Sequence, residues 1–312
     1  MLRRIVALVW LLSATTANAT YSITAVDLKT HQVGGAGASC VPYEVIRIYS
    51  GIPNRGAINA QAQLDDDAQA EATARLAEGL DADAVLAIVT SPERYPKVSA
   101  QMQWGIVDIN GNAAHATGAE ALAFAGDLED QSADGRFVFT AQGNILTSEL
   151  VIERARQAFL AGGCDLAEKL VLALEAAGSN GEGDRRCTGM AIPAKSAYVD
   201  VTGGAGSLFR VSVPDVSPED PTAFVRKAFD EYRATHPCMA NSADTPPPRS
   251  ASDNGCACSF PKPSRSARAE WLGVLALFAL ACRRRYAKNA SLPSNAIVGP
   301  RESGAQARQH VA

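Results

Sequence analysis

Thr20 directly follows Ala17-Asn18-Ala19, a small-x-small pattern of the kind that signal peptidase cuts. Cleavage there makes Thr20 the first residue of the mature chain. A hydroxyl is a weak nucleophile and needs a base beside it. A threonine at a chain start carries its own: the free α-amine, whose reference pKa of about 7.7–8.0 leaves a useful fraction neutral. The amine takes the hydroxyl proton, the oxygen attacks a carbonyl, and an acyl-enzyme forms. The chemistry to expect is hydrolysis of an amide or a related C–N bond, with hydrogen-bond donors holding the oxyanion.

Several side chains can serve that step. Gln142 and Asn144 flank Gly143 in what reads as a turn, and their amides can donate to an oxyanion. Asp184 can orient the Thr20 amine, Arg185 can bind a substrate carboxylate, and Gln61 can support the site from behind. Each has a structural alternative. Thr20 can be an ordinary strand residue, Gln142 and Asn144 can stabilise their own turn, Asp184 and Arg185 can pair in a polar loop, and Gln61 can close a sheet hydrogen bond. Asp108 and His115 read as structural. His31, His115 and His236 have no ligand-like spacing, so neither a metal nor a cofactor is expected.

The leader fits export. Arg3 and Arg4 precede an unbroken apolar run over residues 5–12, too short to span a bilayer. Residues 1–19 read as a signal peptide, so signal peptidase is an expected partner and the location is the cell envelope or surface. Residues 20–238 have the size of one large domain. They hold 17 basic and 29 acidic residues, against 10 and 4 in residues 239–312. An acidic domain lacks the basic face that nucleic acid requires. Cys40, Cys164, Cys187 and Cys238 lie in this unit, and an even count in an exported chain suggests disulfides. Three pairings are possible. The reading favours Cys164–Cys187, from a helix start to a strand, with Cys40–Cys238 tying the last helix to a sheet.

Residues 239–270 are rich in Pro, Ser and Ala and read as a disordered linker with Cys256 and Cys258 inside it. Residues 271–282 are apolar or small, and Arg283-Arg284-Arg285 follow. An apolar helix with a basic stop is a membrane-anchor pattern. It is short, about 18 Å of helix against a hydrocarbon core of about 30 Å. Residues 286–312 form a polar tail.

The elements that must position Thr20 can be read from periodicity. A strand follows it over residues 21–26, then a small-residue strand through Gly34, Gly35 and Gly37 to near Cys40, and a buried strand over 56–62. Helices are expected over 66–80 and 84–89, and a hairpin joins 103–109 to 112–117 through Asn110-Gly111. A helix over 149–160 stops at Gly162-Gly163. The next is capped by Asp165 with Glu168 reaching back, and a last one runs from Pro221 to about residue 234. Strands are expected over 188–192, 197–201 and 207–213. The order of strands, helices, strands and helix implies an α+β fold.

The blocks Thr20-Tyr21-Ser22-Ile23-Thr24-Ala25-Val26-Asp27, Gln32-Val33-Gly34-Gly35-Ala36 and Gly56-Ala57-Ile58-Asn59-Ala60-Gln61 come in that order. Gln103-Trp104-Gly105-Ile106-Val107-Asp108, Gln142-Gly143-Asn144, Gly183-Asp184-Arg185-Arg186 and Phe209-Arg210-Val211 follow. Together they resemble the domain-of-unknown-function family 1028, grouped with the N-terminal nucleophile (Ntn) hydrolases. The resemblance implies a four-layer αββα sandwich and Thr20 chemistry, without naming a substrate. Residues 255–285 resemble the MYXO-CTERM sorting signal, which implies a sorting protease and attachment near Cys256 and Cys258. The continuing tail departs from that pattern. The expectation is an exported Ntn-type hydrolase acting on a small molecule or peptide, held at a membrane by its C-terminal helix. The alternative is a non-catalytic, surface-displayed binding module on the same fold.

Overall fold

The computed structural model describes residues 19–96 and 99–238. The expected leader (residue 19 apart), linker, Cys256 and Cys258, apolar helix and tail lie outside the described residues. Among the described residues, no helix is long and apolar enough to cross a membrane.

The chain builds two antiparallel sheets with helices. The first sheet has the order β10 (Gly206–Val213), β9 (Ser196–Gly203), β2 (Gln32–Ser39), β1 (Thr20–Asp27), β8 (Phe137–Asn144), β7 (Gly126–Gln131). The second has the order β3 (Tyr49–Ile52), β4 (Gly56–Ala62), β5 (Met102–Asp108), β6 (Ala113–Thr117). α1 (Asp66–Glu78) and α2 (Ala82–Val89) pack on the four-stranded sheet through Ala68, Ala72, Leu76 and Val85. α3 (Leu150–Ala161), α4 (Leu166–Ala177) and α5 (Pro221–Thr235) pack on the six-stranded sheet through Phe159, Leu170, Leu174 and Phe229.

The helix starts follow capping chemistry. Asp65, Asp81, Asp165 and Asp220 each accept a backbone N–H of the first turn, satisfying donors that a helix start leaves open. Glu168 reaches back as expected, but to the N–H of Cys164, one residue before the cap. α1 ends on Gly79 at φ 98°, a left-handed conformation that glycine adopts without a Cβ clash.

The structure departs from the sequence reading at several points. Residues 188–192 are no strand, because Arg185–Met190 form a 3-10 turn whose first donors Asp184 caps. Gln142 and Asn144 do not sit in a turn; they close the buried strand β8. β3 and β7, which periodicity missed, are short or half-exposed edge strands with weak alternation. At the hairpin only Gly111 takes a positive φ, since the Asp108 carboxylate caps the N–H groups of Asn110 and Asn112 and widens the turn.

The faces of the two sheets that carry no helices meet, and the contact changes character along its length. At one end Val26, Val33, Ala57, Val107 and Val138 make an apolar cluster. Toward Thr20 the same strand faces present Thr24, Ser22 and Thr140, then Asn59, Gln61, Gln103, Gln142 and Asn144, all buried. Gly105 lets the sheets approach there, because a Cβ at that position would collide with Gln142 Oε1 and Thr140 Oγ1. The polar end is where the site must be sought, since a buried polar layer costs stability unless its groups are bonded or used.

Candidate functional site

Thr20 opens β1, an inner strand paired with β2 on one side and β8 on the other. Pairing on both sides fixes its backbone and leaves the residue 1% exposed. Its Oγ1 donates to Ser39 Oγ at 3.3 Å, and its carbonyl accepts from Gln61 Nε2 at 3.1 Å. Asn144 lies directly opposite Thr20 in the β1–β8 register, on the same face of the sheet.

The amides form a chain. Ser22 Oγ donates to Gln61 Oε1 at 2.6 Å, Gln142 Nε2 donates to Ser22 Oγ at 2.7 Å, and Gln61 Nε2 also reaches Gln103 Oε1 at 2.7 Å. Gln103 in turn donates to Thr117 Oγ1 and to the carbonyls of Gly126 and Gly143. Gln61 therefore does more than close a sheet bond; it orients the Thr20 backbone from the facing sheet. Gln142 spends its donor on Ser22. Ala62 and Ile145, which directly follow Gln61 and Asn144, adopt left-handed φ values of 67° and 52°. Such strain in non-glycine residues clusters at functional sites.

Asp184 is fully buried and accepts from the Cys40 N–H at 2.6 Å and from the Arg186 guanidinium at 2.9 and 3.2 Å. Arg186 Nη2 then donates to the Ala19 carbonyl at 3.0 Å, and Ser39 Oγ donates to the same oxygen. Asp184 thus reaches the Ala19–Thr20 junction through Arg186. Arg185, the expected carboxylate ligand, is exposed, and its backbone N–H pairs with Ile145. Neither Ser39 nor Arg186 was marked by the sequence as a site residue.

The disulfides explain how these side chains meet. They are Cys40–Cys187 and Cys164–Cys238, so the expected Cys164–Cys187 and Cys40–Cys238 are overturned. The end of β2 lies beside the 184–190 segment, where Cys40 N–H already bonds Asp184. Cys164 precedes α4, and Cys238 ends the segment after α5, which packs on α4 through an Arg233–Asp165 bond of 2.8 Å. Ser39 and Arg186 each directly precede a half of one disulfide. Among the described residues, Cys164, Glu168 and Cys238 are the one group with metal-ligand spacing, but its sulfurs are joined to each other.

Beside Thr20 lies a narrow cleft of about 10 Å³, room for about one water, whose lining includes Ser39, Val41, Tyr43, Arg47, Ile48 and Gln61. It is mostly apolar with one cation, Arg47, at the mouth, 50% exposed in its side chain and paired with Asp66. His115 and Asp108, read as structural from the sequence, both engage in hydrogen bonds. Asp108 caps its own hairpin, and His115 Nδ1 bonds Asp127 at 2.7 Å across the edges of the two sheets.

The family of unknown function (DUF1028) matches residues 20–221, opening on Thr20 itself. The chain belongs to DUF1028. A DUF1028 protein from Silicibacter pomeroyi has a crystal structure 24% identical to this chain, with a TM-score of 0.58, covering 72% of this chain and 92% of its own. The likeness places both on one fold. The ancestral beta-subunit Anbu from Yersinia bercovieri aligns over 69% of this chain and 96% of its own at 8% identity and a TM-score of 0.32. No curated protein matches the chain.

Proposed function

We propose that this DUF1028 chain is an exported hydrolase that cleaves an amide or a related C–N bond through the Thr20 hydroxyl once residues 1–19 are gone. The observation that carries the reading is a coincidence at one residue. The family match, an inner strand and the polar end of the inter-sheet layer all begin at Thr20. Two facing sheets with helices on their outer sides are read as the αββα sandwich of the Ntn hydrolases.

In that reading the Thr20 amine is the base and Oγ1 the nucleophile. Ser39 Oγ, beside Oγ1, and Asn144, opposite it, stand nearest to the developing charge. Gln61 holds the Thr20 backbone, and Asp184 acts by holding Arg186. Two disulfides fit an oxidising compartment, and anchoring through residues 271–285 belongs to the same proposal.

One observation favours the rival binding module. Gln142 donates to Ser22, Ser22 to Gln61 and Gln61 to Gln103, so much of the polar layer is also a structural network, although Gln142 Oε1 and the Thr24 and Thr140 hydroxyls are left outside it. The two readings separate on one experiment. The protein is recovered from its native envelope, and its intact mass and N-terminal sequence are read before and after treatment with a β-lactone that acylates activated hydroxyls and amines. The hydrolase requires a chain starting at Thr20, one adduct on Thr20 and none in Thr20→Ala. A different start, or an inert Thr20, leaves the module.

A further inference from the structure

The Ala19–Thr20 junction in the intact chain outlines a binding site for what takes the place of Ala19 after cleavage. Ala19 is completely buried. Its carbonyl oxygen accepts two hydrogen bonds, from Ser39 Oγ and from Arg186 Nη2. Ser39 is fully buried, and Arg186, whose side chain is 32% exposed, is fixed by its partners. Arg186 is clamped by the buried Asp184 carboxylate through Nε and Nη2, Asp184 is held by the Cys40 N–H, and Cys40–Cys187 joins the residues that follow the two donors. A narrow cleft lined by Thr20 and Ser39 adjoins this point.

Loss of residues 1–19 changes the charge of the site in a definite way. The Thr20 nitrogen becomes an amine, largely protonated below about pH 8. The Ala19 carbonyl oxygen becomes part of a carboxylate on cleavage, and its donors Ser39 Oγ and Arg186 Nη2, with the new ammonium beside them, favour a negative charge at that oxygen position. The residue that fills the position in the intact chain is a completely buried alanine.

We propose that Ser39 and Arg186 form a carboxylate subsite next to Thr20 that binds acylated amino acids of alanine size through their free carboxyl group. The inference rests on the cleavage step of the function proposed above and not on catalysis. If Thr20 is also a nucleophile, the same subsite holds the acyl carbonyl of the substrate, which makes the substrates amides of small acylamino acids. Arg186 and Ser39 are then positioning residues for the carbonyl, and Arg185 has no part in it.

The test is binding to the exported protein, its N-terminus first read by mass, with N-acetyl-L-alanine followed by titration calorimetry. N-acetyl-L-alaninamide, which lacks the charge, and N-acetyl-L-leucine, which overfills the methyl site, should bind at least about tenfold more weakly. Arg186→Gln should weaken N-acetyl-L-alanine roughly tenfold or more, while Arg185→Gln changes nothing. Because Arg186 neutralises a buried carboxylate, Asp184→Asn/Arg186→Gln provides a variant without an orphaned charge, and it should show the same loss. Affinity should also fall as pH rises through the amine range, about 7.7–8.0. A peptide of residues 14–19 tells whether the cleaved leader itself is the tighter occupant. Equal binding of alanine and leucine derivatives, indifference to Arg186, or a chain that keeps Ala19 overturns the subsite. Binding without hydrolysis of any amide keeps it and removes only the hydrolase.

Discussion

Removing each disulfide in turn gives two perturbations of similar energy but different position. Cys40–Cys187 spans 147 residues and Cys164–Cys238 spans 74. Loop-closure entropy puts their stabilisation at no more than about 5 and about 4.5 kcal/mol at 25 °C, since a doubled loop adds only about 0.6 kcal/mol. Cys40→Ala/Cys187→Ala and Cys164→Ala/Cys238→Ala should therefore lower Tm by comparable amounts, roughly 10–20 °C at this domain size. The consequences for the site should differ. The first bond fixes the residues that follow Ser39 and Arg186 and lies against the Asp184 carboxylate, whereas the second joins the helical side of the molecule. Tm by scanning calorimetry, with β-lactone labelling of Thr20 and N-acetyl-L-alanine binding at 25 °C, separates the two effects. The first variant should lose labelling and binding at least about tenfold while still folded, and the second should retain both. Equal losses in the two variants, or full retention in the first, would refute the argument that this disulfide positions the site.

Two further outcomes follow from the polar layer and its edge. Gly105→Ala pushes a methyl into Gln142 and Thr140 of the facing sheet. Denaturant unfolding should show a loss of about 1–3 kcal/mol, and an unchanged midpoint would mean the sheets are not in the tight contact described. The His115–Asp127 pair joins β6 to β7 and should make stability depend on pH. The hydrogen bond to Asp127 raises the His115 pKa above its ordinary 6.5 against an opposing effect of burial, and Glu129 lies nearby. Burial works to raise Asp127, but its bonds from His115 and Thr117 bring it below 3.8. The histidine contribution is complete below pH 6.5 and fades as pH rises through the raised value. The aspartate contribution is complete above pH 3.8 and fades as pH falls through the lowered value. Tm should stand highest between those limits, and His115→Gln should flatten the alkaline side in a pH series of thermal melts.

Much of this protein was legible from local sequence. The Asp165 cap, the Gly162-Gly163 stop, Pro221 at a helix start and apolar periodicity located α1, α3, α4 and α5, because those signals act within a few residues of chain. The position of Ala17-Asn18-Ala19 drew attention to Thr20, and the ordered blocks marked the family. What brings side chains together from distant strands was not legible. Gln142 and Asn144 looked like turn residues because Gly143 sits between them. Only the pairing of β8 with β1 turns them into strand neighbours of Ser22 and Thr20. The disulfide pairing depended on where β2 and the 184–190 segment end in space, and spacing along the chain cannot supply that. Ser39 and Arg186 went unnoticed for the same reason. Each is an ordinary residue beside a cysteine, and they acquire a role only because Cys40 and Cys187 bond to each other. The sequence determined the nucleophile candidate, the helices and the family. Tertiary structure decided which donors face that nucleophile, because hydrogen bonds and cystines join groups by distance in space and not by order in the chain.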